Sequence, residues 1–397
     1  MNSDWDNALR QRLEAMQMAG LQRELKTVSG TGVRFLLNGR EVLSFASNDY
    51  LGFSAHPTLI AAATAALEQS GAGSRASPLI VGHKTEHARL EAALAKFKQS
   101  EAALVFPSGF QAALATLGAL AGEQDTIILD RLAHASLIDG AKLSGARVRT
   151  FKHNGVGDLA SLLQKENTDR KKPRSVAPII VIESLYSMDG DIAPLSEMLA
   201  LCDKQGALLL VDEAHATGVL GPSGRGALEK ITRTCGGLPR NVIAMGTLSK
   251  ALGAQGGFIC ASKLISDMLV HAGRAYLFST ALAPASAAAG LAALGLIDEE
   301  PQRRTRLLQM SANLREKLSD EGLQIPPGLG PIIPIMFGDE QRAAEASRTL
   351  LDQGLYVPAI RYPTVKKGQA RLRVSLSAEH RDADCAQLIN ALLRITK

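Results

Sequence analysis

The chain is poor in cysteine. Its 397 residues include only Cys202, Cys235, Cys260 and Cys385, and no two of them form a Cys-x-x-Cys pair. Widely separated cysteines argue against a disulfide framework and against a zinc site. The sequence therefore predicts a reduced, cytoplasmic protein without a bound metal.

Long apolar runs and targeting signals are also missing. No stretch approaches the roughly 18 apolar residues that a membrane helix needs, and the start "MNSDWDNALRQRLEAMQMAG" lacks a basic segment followed by an apolar one. The net charge is only +5, and the lysines and arginines are scattered along the chain. These features predict neither a membrane nor a nucleic-acid partner, and slightly favour anionic small molecules or an acidic carrier.

A phosphate-binding GxxxxGK[ST] loop is absent as well. This absence matters because "VDEAH" at 211–215 ends an apolar run, as the acidic motif of helicase-type ATPases does. An ATPase needs the missing loop to hold the nucleotide phosphates, so that alternative loses its support. Asp212 must then face some other cation, because an unpaired charge at the end of a buried strand is costly. A structural arginine is one such cation.

The sequence does contain short β-rich runs that alternate with helix-length segments. The runs occupy residues 40–45, 102–106, 126–130, 147–151, 178–184, 207–213 and 241–245. Residues 4–25 show helical spacing of apolar positions, which predicts an amphipathic helix packed on another part of the protein. From residue 285, long helical stretches precede strand-like runs at 331–337 and 370–376. The pattern indicates an α/β protein with a mostly parallel sheet covered on both faces and a smaller C-terminal α/β domain.

Polar residues follow several of the predicted strands. "FPSGFQ" places Ser108 and Gly109 at a strand–helix junction, where free N–H groups can bind an anion. Other strands are followed by residues that can carry chemistry, namely His134, Ser187, Asp212 and Lys250. The carboxyl ends of parallel strands meet at one edge of a sheet, so we expect these residues to lie around one site.

Lys250 lies among small residues in "GTLSKALGAQGGF" and has two interpretations. It can extend its ammonium group to water, or it can be kept deprotonated as a nucleophile. The neighbouring motifs favour an aldehyde cofactor that carries a phosphate and a ring nitrogen. Lys250 would bond the aldehyde, Asp212 would keep the ring nitrogen protonated, and a helix N-terminus would hold the phosphate.

Six blocks together resemble the α-oxoamine synthases, which are pyridoxal 5'-phosphate enzymes of the aspartate-aminotransferase fold type. The blocks are "SNDYLGFSAHP", "DRLAHASLIDGAKLSGA", "SLYSMDGDIAPL", "VDEAHATGVLGPSGRG", "GTLSKALGAQGGF" and "PAIRYPTVKKGQARLRVSLSAEH". They occur in the family's order between about residues 20 and 390. The resemblance implies fold type I, with a mostly parallel seven-stranded sheet between helices, and a homodimer. It also implies an N-terminal arm (1–45) packed on the small domain, a large cofactor domain (46–284) and a small C-terminal α/β domain (285–397).

The resemblance implies a role for each matching residue. Lys250 would form the Schiff base, Asp212 would face the pyridinium, His215 would lie near the phenolic oxygen, and His134 would stack on the ring. Further cofactor contacts are implied for Gly109, Phe110, Ser187 and Thr247, and for Ser279 and Thr280 toward the neighbouring subunit's cofactor. Arg361 is implied to clamp the amino-acid carboxylate, and the other implied substrate contacts are Arg23, Asn48, His134 and Thr364.

Within this family, "AGLQREL", "GTLSKALGAQGGF" and "PAIRYPTV" are most similar to the biotin-pathway member. That member condenses L-alanine with a pimeloyl thioester of coenzyme A or an acyl carrier protein and releases carbon dioxide and the thiol. Sister enzymes that use glycine or serine share most of the blocks, so they stay open as alternatives, as does an aminotransferase or lyase on the same fold. One departure is "GAGSRASPLIVGH", where Pro78 and Val81 replace a polar or basic residue and a serine. This departure bears on loop contacts near the site.

Overall fold

The computed structural model describes residues 3–18, 21–168 and 176–396. Its helices are α1 (Asp4–Met18), α2 (Pro57–Ser70), α3 (Thr85–Lys98), α4 (Gly109–Leu120), α5 (Ala135–Leu143), α6 (Val156–Thr168), α7 (Leu195–Gln205), α8 (Glu229–Cys235), α9 (Lys263–Ala272), α10 (Arg274–Leu277), α11 (Pro284–Glu299), α12 (Pro301–Asp320), α13 (Glu340–Asp352) and α14 (Asp382–Thr396). Its strands are β1 (Val28–Ser29), β2 (Arg34–Leu37), β3 (Arg40–Ser44), β4 (Ala102–Phe106), β5 (Thr126–Asp130), β6 (Arg147–Phe151), β7 (Ile179–Glu183), β8 (Leu208–Asp212), β9 (Val242–Thr247), β10 (Gly257–Ala261), β11 (Ile332–Gly338), β12 (Leu355–Tyr356), β13 (Ala359–Ile360) and β14 (Ala370–Ser375). Every strand predicted from the sequence is present, with ends within two residues of the prediction.

The central sheet has seven strands in the order β4-β10-β9-β8-β7-β5-β6. Strands β5 to β9 pair in parallel, whereas β10 runs antiparallel to both β4 and β9. The mostly parallel sheet is thus confirmed, but the sequence analysis missed β10. A connection over residues 248–256 is too short for a helical crossover, so the chain must return antiparallel.

Alternate residues of the central strands enter two separate cores. Leu209 and Val211 of β8 belong to one buried cluster, and Leu210 between them belongs to the other. Side chains alternate between the faces of a strand, so a strand buried on both faces must be apolar throughout. All residues of β5, β7 and β9 are accordingly buried. Helices therefore cover the sheet on both faces, and its strand ends are the places left for polar groups.

Two smaller sheets lie outside the central sheet, and one of them pairs an N-terminal strand with a C-terminal strand. One has the order β1-β2-β3-β12, in which β3 pairs in parallel with β12, and the other has the order β11-β14-β13. The backbone N–H of Ser375 also donates to the carbonyl of Phe45 at 2.8 Å. These pairings bring residues 40–50 against the C-terminal part of the chain. The domain boundaries after residues 45 and 284 stay a prediction.

The N-terminal helix differs from its prediction in length. The predicted helix over residues 4–25 ends at Met18, residues 19 and 20 lie outside the described part of the chain, and residues 21–25 form no regular element. No residue of α1 is buried, and Trp5 and Leu13 are 70% and 65% exposed. The apolar face of α1 is therefore not buried within one subunit, and its packing on the small domain stays a prediction. Helical periodicity reports an apolar face but does not say what covers it.

A charged network around His153 anchors the strand ends near the predicted site. His153 contacts Asp130 at 3.0 Å through Nδ1 and Asp191 at 2.8 Å through Nε2. Asp130 also accepts the backbone N–H groups of Leu132 and Asn154, at 2.8 and 2.9 Å. The network therefore joins the end of β5 to the loop after β7.

The same network predicts a pH-dependent contribution to stability. Burial disfavours the imidazolium, but hydrogen bonds and attraction from Asp130 and Asp191 outweigh it and raise the pKa of His153 to about 10. Unfolded histidine titrates near 6.5, so the stabilisation is complete below about pH 6.5 and is lost as the pH rises toward 10. We expect His153→Gln to lower the free energy of unfolding, measured with urea, by about 1–3 kcal/mol near pH 6 and by less near pH 9.

His83→Gln is the matched control. The ring of His83 contacts Glu91 at 2.8 Å, but its side chain is 37% exposed. An exposed pair of this kind contributes less than about 1 kcal/mol. Equal losses in the two variants, or a His153→Gln loss that grows with pH, would show that the buried network is not charged as described.

Candidate active site

The carboxyl ends of β4, β5, β7, β8 and β9 surround a pocket of about 240 Å³. Much of the predicted site lines it, namely Gly109, Phe110, His134, Asp212, His215, Thr247 and Lys250. The same pocket is also lined by Ser108, Ser136, Glu183 and Ser249. The structure therefore brings together the strand-end residues that the sequence placed at one edge of the sheet.

Two carboxyl groups lie side by side in the pocket. Glu183 and Asp212 are register partners at the ends of the parallel strands β7 and β8, and they are 2% and 6% exposed. Burial raises the pKa of Asp212, although the attraction of Lys250 opposes this effect. Burial and the charge of Asp212 together raise the pKa of Glu183 to about 8. The pair therefore favours a cation or a proton between its members.

Glu183 was missed by the sequence analysis. One of its oxygens, Oε2, accepts the backbone N–H of Ser187 at 3.3 Å, while Oε1 is buried with no hydrogen-bond partner among the described residues. The sequence contained a signal for this residue, because Glu183 ends the apolar run "PIIVIE" in the same way that Asp212 ends the following apolar run. Its unpartnered oxygen indicates that the pocket is built for a polar ligand.

Lys250 contacts a histidine. Its Nζ lies 2.8 Å from Nε2 of His215, and Nδ1 of His215 lies 2.6 Å from the hydroxyl of Tyr50. Burial lowers the pKa of Lys250 to about 8, against attraction from Asp212 and Glu183. Burial also lowers the pKa of His215 well below its usual value. A lysine so placed has a substantial neutral fraction near physiological pH, as a base or nucleophile requires.

A buried arginine, Arg373, contacts the Tyr50 hydroxyl. Arg373, on β14, donates to Asn48 Oδ1 from both terminal nitrogens at 3.2 Å and to the Tyr50 hydroxyl at 3.3 Å. Its Nε donates to the Ser187 carbonyl at 2.6 Å. Arg373 is only 5% exposed, and it forms no ion pair with a carboxylate in the part of the chain that the structure describes. Nη1 also donates to Ser375 Oγ at 2.8 Å, so a ligand carboxylate would have to replace one of these neutral acceptors.

The sequence analysis assigned the carboxylate clamp to Arg361 and missed Arg373. Arg361 follows β13, and neither Arg361 nor Arg373 lines the 240 Å³ pocket or the larger cleft beside it. The charge of Arg373, however, contributes to the lowered pKa of both Lys250 and His215. The signal for Arg373 was a pair of arginines in "ARLRVS", a strand whose residues are all buried. Charged side chains inside a buried strand need a polar partner, and here the partners are Asn48 and Tyr50. The role of Arg361 as the clamp therefore stays a prediction, and Arg373 is a second candidate.

The N-terminus of α4 lies at the pocket, where the sequence predicts an anion site. Ser108 caps the helix, with its hydroxyl accepting the N–H of Gln111 at 3.2 Å. A Cβ at Gly257 would come within 2.5 Å of the Gly109 nitrogen, so β10 passes directly beneath this turn. Gln111 also donates to Ser279 Oγ at 2.9 Å, and Thr280 next to it is exposed. The predicted contact of Ser279 and Thr280 with a neighbouring subunit's cofactor stays a prediction.

These features fit pyridoxal phosphate. The α4 N-terminus offers backbone N–H groups for a phosphate, and the Glu183–Asp212 pair with its unpartnered Oε1 offers acceptors for a protonated ring nitrogen. Lys250 offers an amine of lowered pKa for the aldehyde, beside a histidine. Each chemical feature of the cofactor would therefore meet a complementary group in one pocket.

A cleft of about 520 Å³ adjoins the pocket. His134 lines both spaces, and Ser187, Arg131, Thr364 and Lys366 line the cleft. A further groove, of about 680 Å³, runs along α1 and includes Arg23. Cleft and groove share Pro363, so the predicted acyl-side residues Arg23 and Thr364 lie along one path that starts at the pocket.

Two further observations concern metals and membranes. No group of three or more histidine, cysteine, aspartate or glutamate residues could hold a metal ion within residues 3–18, 21–168 and 176–396. None of the helices described is both long and apolar enough to cross a bilayer.

Comparison with known proteins places the chain in a family. The model of the family "Aminotransferase class I and II" matches residues 40–392. A putative 8-amino-7-oxononanoate synthase of Desulforudis audaxviator is 45% identical, with 97% of each chain covered. The 8-amino-7-oxononanoate synthase of Trichlorobacter lovleyi is 43% identical, with 98% of this chain and 97% of that one covered.

Solved structures agree with this placement. A serine palmitoyltransferase from S. paucimobilis, with a bound adduct of pyridoxal phosphate and myriocin, superposes with a TM-score of 0.88 at 31% identity and covers 100% of this chain and 98% of its own. The 8-amino-7-oxononanoate synthase of Francisella tularensis superposes with a TM-score of 0.75 at 29% identity, covering 89% and 98%. The chain therefore belongs to the class I and II aminotransferase family, in the branch formed by its 8-amino-7-oxononanoate synthase relatives.

Proposed function

We propose that this chain catalyses the decarboxylative condensation of L-alanine with a pimeloyl thioester. The products are 8-amino-7-oxononanoate, carbon dioxide and the free thiol, and the reaction belongs to biotin biosynthesis. The observation that carries the proposal is Lys250, whose amine of lowered pKa lies 2.8 Å from His215 in a pocket shared with Asp212 and Glu183. The relatives named for this reaction match nearly the full length of the chain.

The cofactor is pyridoxal phosphate, which supplies an electron-accepting ring that stabilises negative charge at the Cα atom of the amino acid. In this chain, Asp212 and Glu183 would hold the proton on the ring nitrogen, and the α4 N-terminus, with Gly109 and Phe110, would bind the phosphate. His134 and Thr247 line the same pocket and would fix the position of the ring. Lys250 would bond the aldehyde at rest and become a free base when alanine replaces it.

The chain's own groups move the protons. Lys250 Nζ would remove the Cα proton of alanine, which requires the neutral amine. Its pKa of about 8 leaves roughly one amine in ten neutral at pH 7. His215 Nε2, in contact with the same Nζ, orients the amine during this transfer. The transfer takes place in a largely buried pocket, where water competes less for the proton.

Arg373 supplies the carboxylate clamp in this proposal. Its five N–H groups donate to Asn48, Tyr50, Ser375 and the Ser187 carbonyl. The carboxylate of alanine would therefore replace a neutral acceptor, Asn48 or Ser375, on this guanidinium. When Arg373 holds the carboxylate of alanine, it fixes the orientation of the amino acid against the cofactor ring. That orientation determines which bond at Cα is perpendicular to the ring, and therefore which bond breaks. Asn48 takes part by holding Arg373.

The cleft and groove would receive the pimeloyl thioester. Their walls carry Arg23, Thr364 and Ser187 and the basic residues Arg131 and Lys366. Basic groups along this path suit an anionic thioester carrier, either coenzyme A or an acyl carrier protein. We propose that the enzyme acts in the cytoplasm as a homodimer in which Ser279 and Thr280 approach the partner subunit's cofactor phosphate.

The proposed function predicts a preference among amino acids. With pyridoxal phosphate and pimeloyl-coenzyme A, we expect thiol release with L-alanine to exceed that with glycine or serine by about tenfold or more in kcat/KM. Mass spectrometry should identify 8-amino-7-oxononanoate as the product. Repeating the assay with the pimeloyl acyl carrier protein determines the carrier.

The second candidate is a sister enzyme that uses serine, which the superposition on serine palmitoyltransferase favours. Faster thiol release with serine and a long-chain acyl thioester would support it and contradict the alanine reaction. Amino transfer to a 2-oxo acid without thiol release would instead identify an aminotransferase.

The arginine assignment predicts different outcomes for two conservative variants. Arg373→Lys loses the planar fork that accepts a carboxylate through two bonds, so the KM for alanine should rise and kcat should fall. We expect kcat/KM for alanine to drop roughly tenfold to a thousandfold, with a much smaller change in the KM for the thioester. Steady-state kinetics at varied alanine concentration measures both.

Arg361→Lys is the matched control, because Arg361 is the other candidate clamp and its charge is not among those that shift the pKa of Lys250. Its kcat/KM for alanine should stay within about threefold of the parent value. The opposite pattern, with Arg361→Lys impaired and Arg373→Lys normal, would return the clamp to Arg361.

A further inference from the structure

We propose that Tyr50 is a positioning residue that fixes the tautomer of His215, so that Nε2 keeps its proton and donates a hydrogen bond to the neutral amine of Lys250. Tyr50 lies in the block "SNDYLG" and is fully buried. The inference deepens the proposed function, on which it rests for the role of Lys250 as the base. It concerns a residue that lines neither the pocket nor the cleft.

Four side chains form a continuous buried hydrogen-bond chain. Arg373 Nη2 lies 3.3 Å from the Tyr50 hydroxyl, which lies 2.6 Å from His215 Nδ1. His215 Nε2 then lies 2.8 Å from Lys250 Nζ. Asn48 Oδ1 joins the chain at 3.1 Å from the Tyr50 hydroxyl. The direction of each bond follows from which atoms can donate.

The direction of the bond between Tyr50 and His215 follows from the donors and acceptors around the Tyr50 hydroxyl. Asn48 Oδ1 already accepts N–H bonds from both terminal nitrogens of Arg373, and a carbonyl oxygen has two lone pairs. The Tyr50 oxygen accepts from Arg373, because a guanidinium can only donate. The single proton of the Tyr50 hydroxyl is therefore best placed on the short bond to His215 Nδ1. A neutral imidazole that accepts at Nδ1 must carry its proton on Nε2.

The protonation states of Tyr50 and His215 agree with a hydrogen bond donated by the Tyr50 hydroxyl to His215 Nδ1. Burial raises the pKa of Tyr50, so the phenol keeps its proton. Burial, Lys250 and Arg373 hold the pKa of His215 well below its usual value, so the ring is neutral and has one N–H. That N–H, on Nε2, needs an acceptor, and Nζ of Lys250 offers one only when the amine has lost its third proton.

The tautomer therefore affects the charge of Lys250. With the proton on Nε2, His215 stabilises the neutral amine, and with the proton on Nδ1, its bare Nε2 would stabilise the ammonium instead. The other charged groups around Lys250 oppose one another, because Asp212 and Glu183 favour the ammonium whereas burial and Arg373 disfavour it. His134 lines the same pocket, and burial and the charge of Lys250 lower its pKa against the attraction of Asp212, so its ring is neutral near pH 7 and adds no charge to this balance. Tyr50 thus supports the base through His215 without touching the reacting atoms.

The direct test is nitrogen NMR of the full-length chain labelled with ¹⁵N-histidine, with the cofactor removed by dialysis. His215→Gln identifies the resonances of His215. At about pH 9, where most of the Lys250 amine is neutral, the inference requires a protonated Nε2 and an unprotonated Nδ1 in the parent protein. A protonated Nδ1 overturns it. This measurement needs no variant of Tyr50 and no catalytic activity, so its failure is distinct from failure of the proposed reaction.

A second measurement compares Tyr50→Phe with Tyr276→Phe, a buried tyrosine that packs on Phe106. Competitive labelling with acetic anhydride, followed by mass spectrometry of the peptide that contains Lys250, reports the neutral fraction of its amine in the cofactor-free chain. Loss of the Tyr50 hydroxyl should raise the pKa of Lys250 and slow its labelling near pH 7 by about threefold to tenfold. Tyr276→Phe should label like the parent. Unchanged labelling of Lys250 in Tyr50→Phe, or equal slowing in both variants, overturns the inference.

Discussion

Lys250 has to keep a neutral amine inside a pocket that also holds two carboxyl groups. Burial and Arg373 disfavour its charge, while Asp212 and Glu183 favour it, and the balance leaves a pKa of about 8. A lysine without the carboxyl groups would be a weaker base, and one facing two ionised carboxylates would stay protonated. The surrounding elements matter because they hold these opposing groups at fixed places around one amine.

The central sheet provides those places. The parallel register of β7 and β8 sets Glu183 beside Asp212, and β9 ends close to Lys250. Each strand fills two cores through alternate side chains, so its end cannot shift along the sheet without exposing both cores. The antiparallel strand β10 passes beneath the α4 N-terminus with no room for a side chain at Gly257. Rigid strands thus hold the base, its carboxyl partners and the anion site in one arrangement.

Local features of the sequence predicted most of this arrangement. Lys250, Asp212, His134 and Gly109 each follow an apolar run directly, so their common edge followed from the parallel sheet alone. Arg373 and Tyr50 could not be found in this way, because they meet only when β14 packs against residues more than 300 positions earlier. The choice of Arg361 came from its motif and stays a prediction. Strand β10 was missed because its neighbours in the sequence are glycine-rich. Helical periodicity predicted the apolar face of α1, but it cannot predict which surface covers that face.

The central claim is that Lys250 removes the Cα proton of alanine in this pocket. The most direct measurement is proton NMR of L-alanine in deuterium oxide with the cofactor-loaded enzyme and no thioester. The account predicts that the Cα signal of alanine exchanges in the parent enzyme and does not exchange in Lys250→Ala at matched cofactor occupancy. Exchange at an unchanged rate in Lys250→Ala would contradict the account, because another group would then be the base.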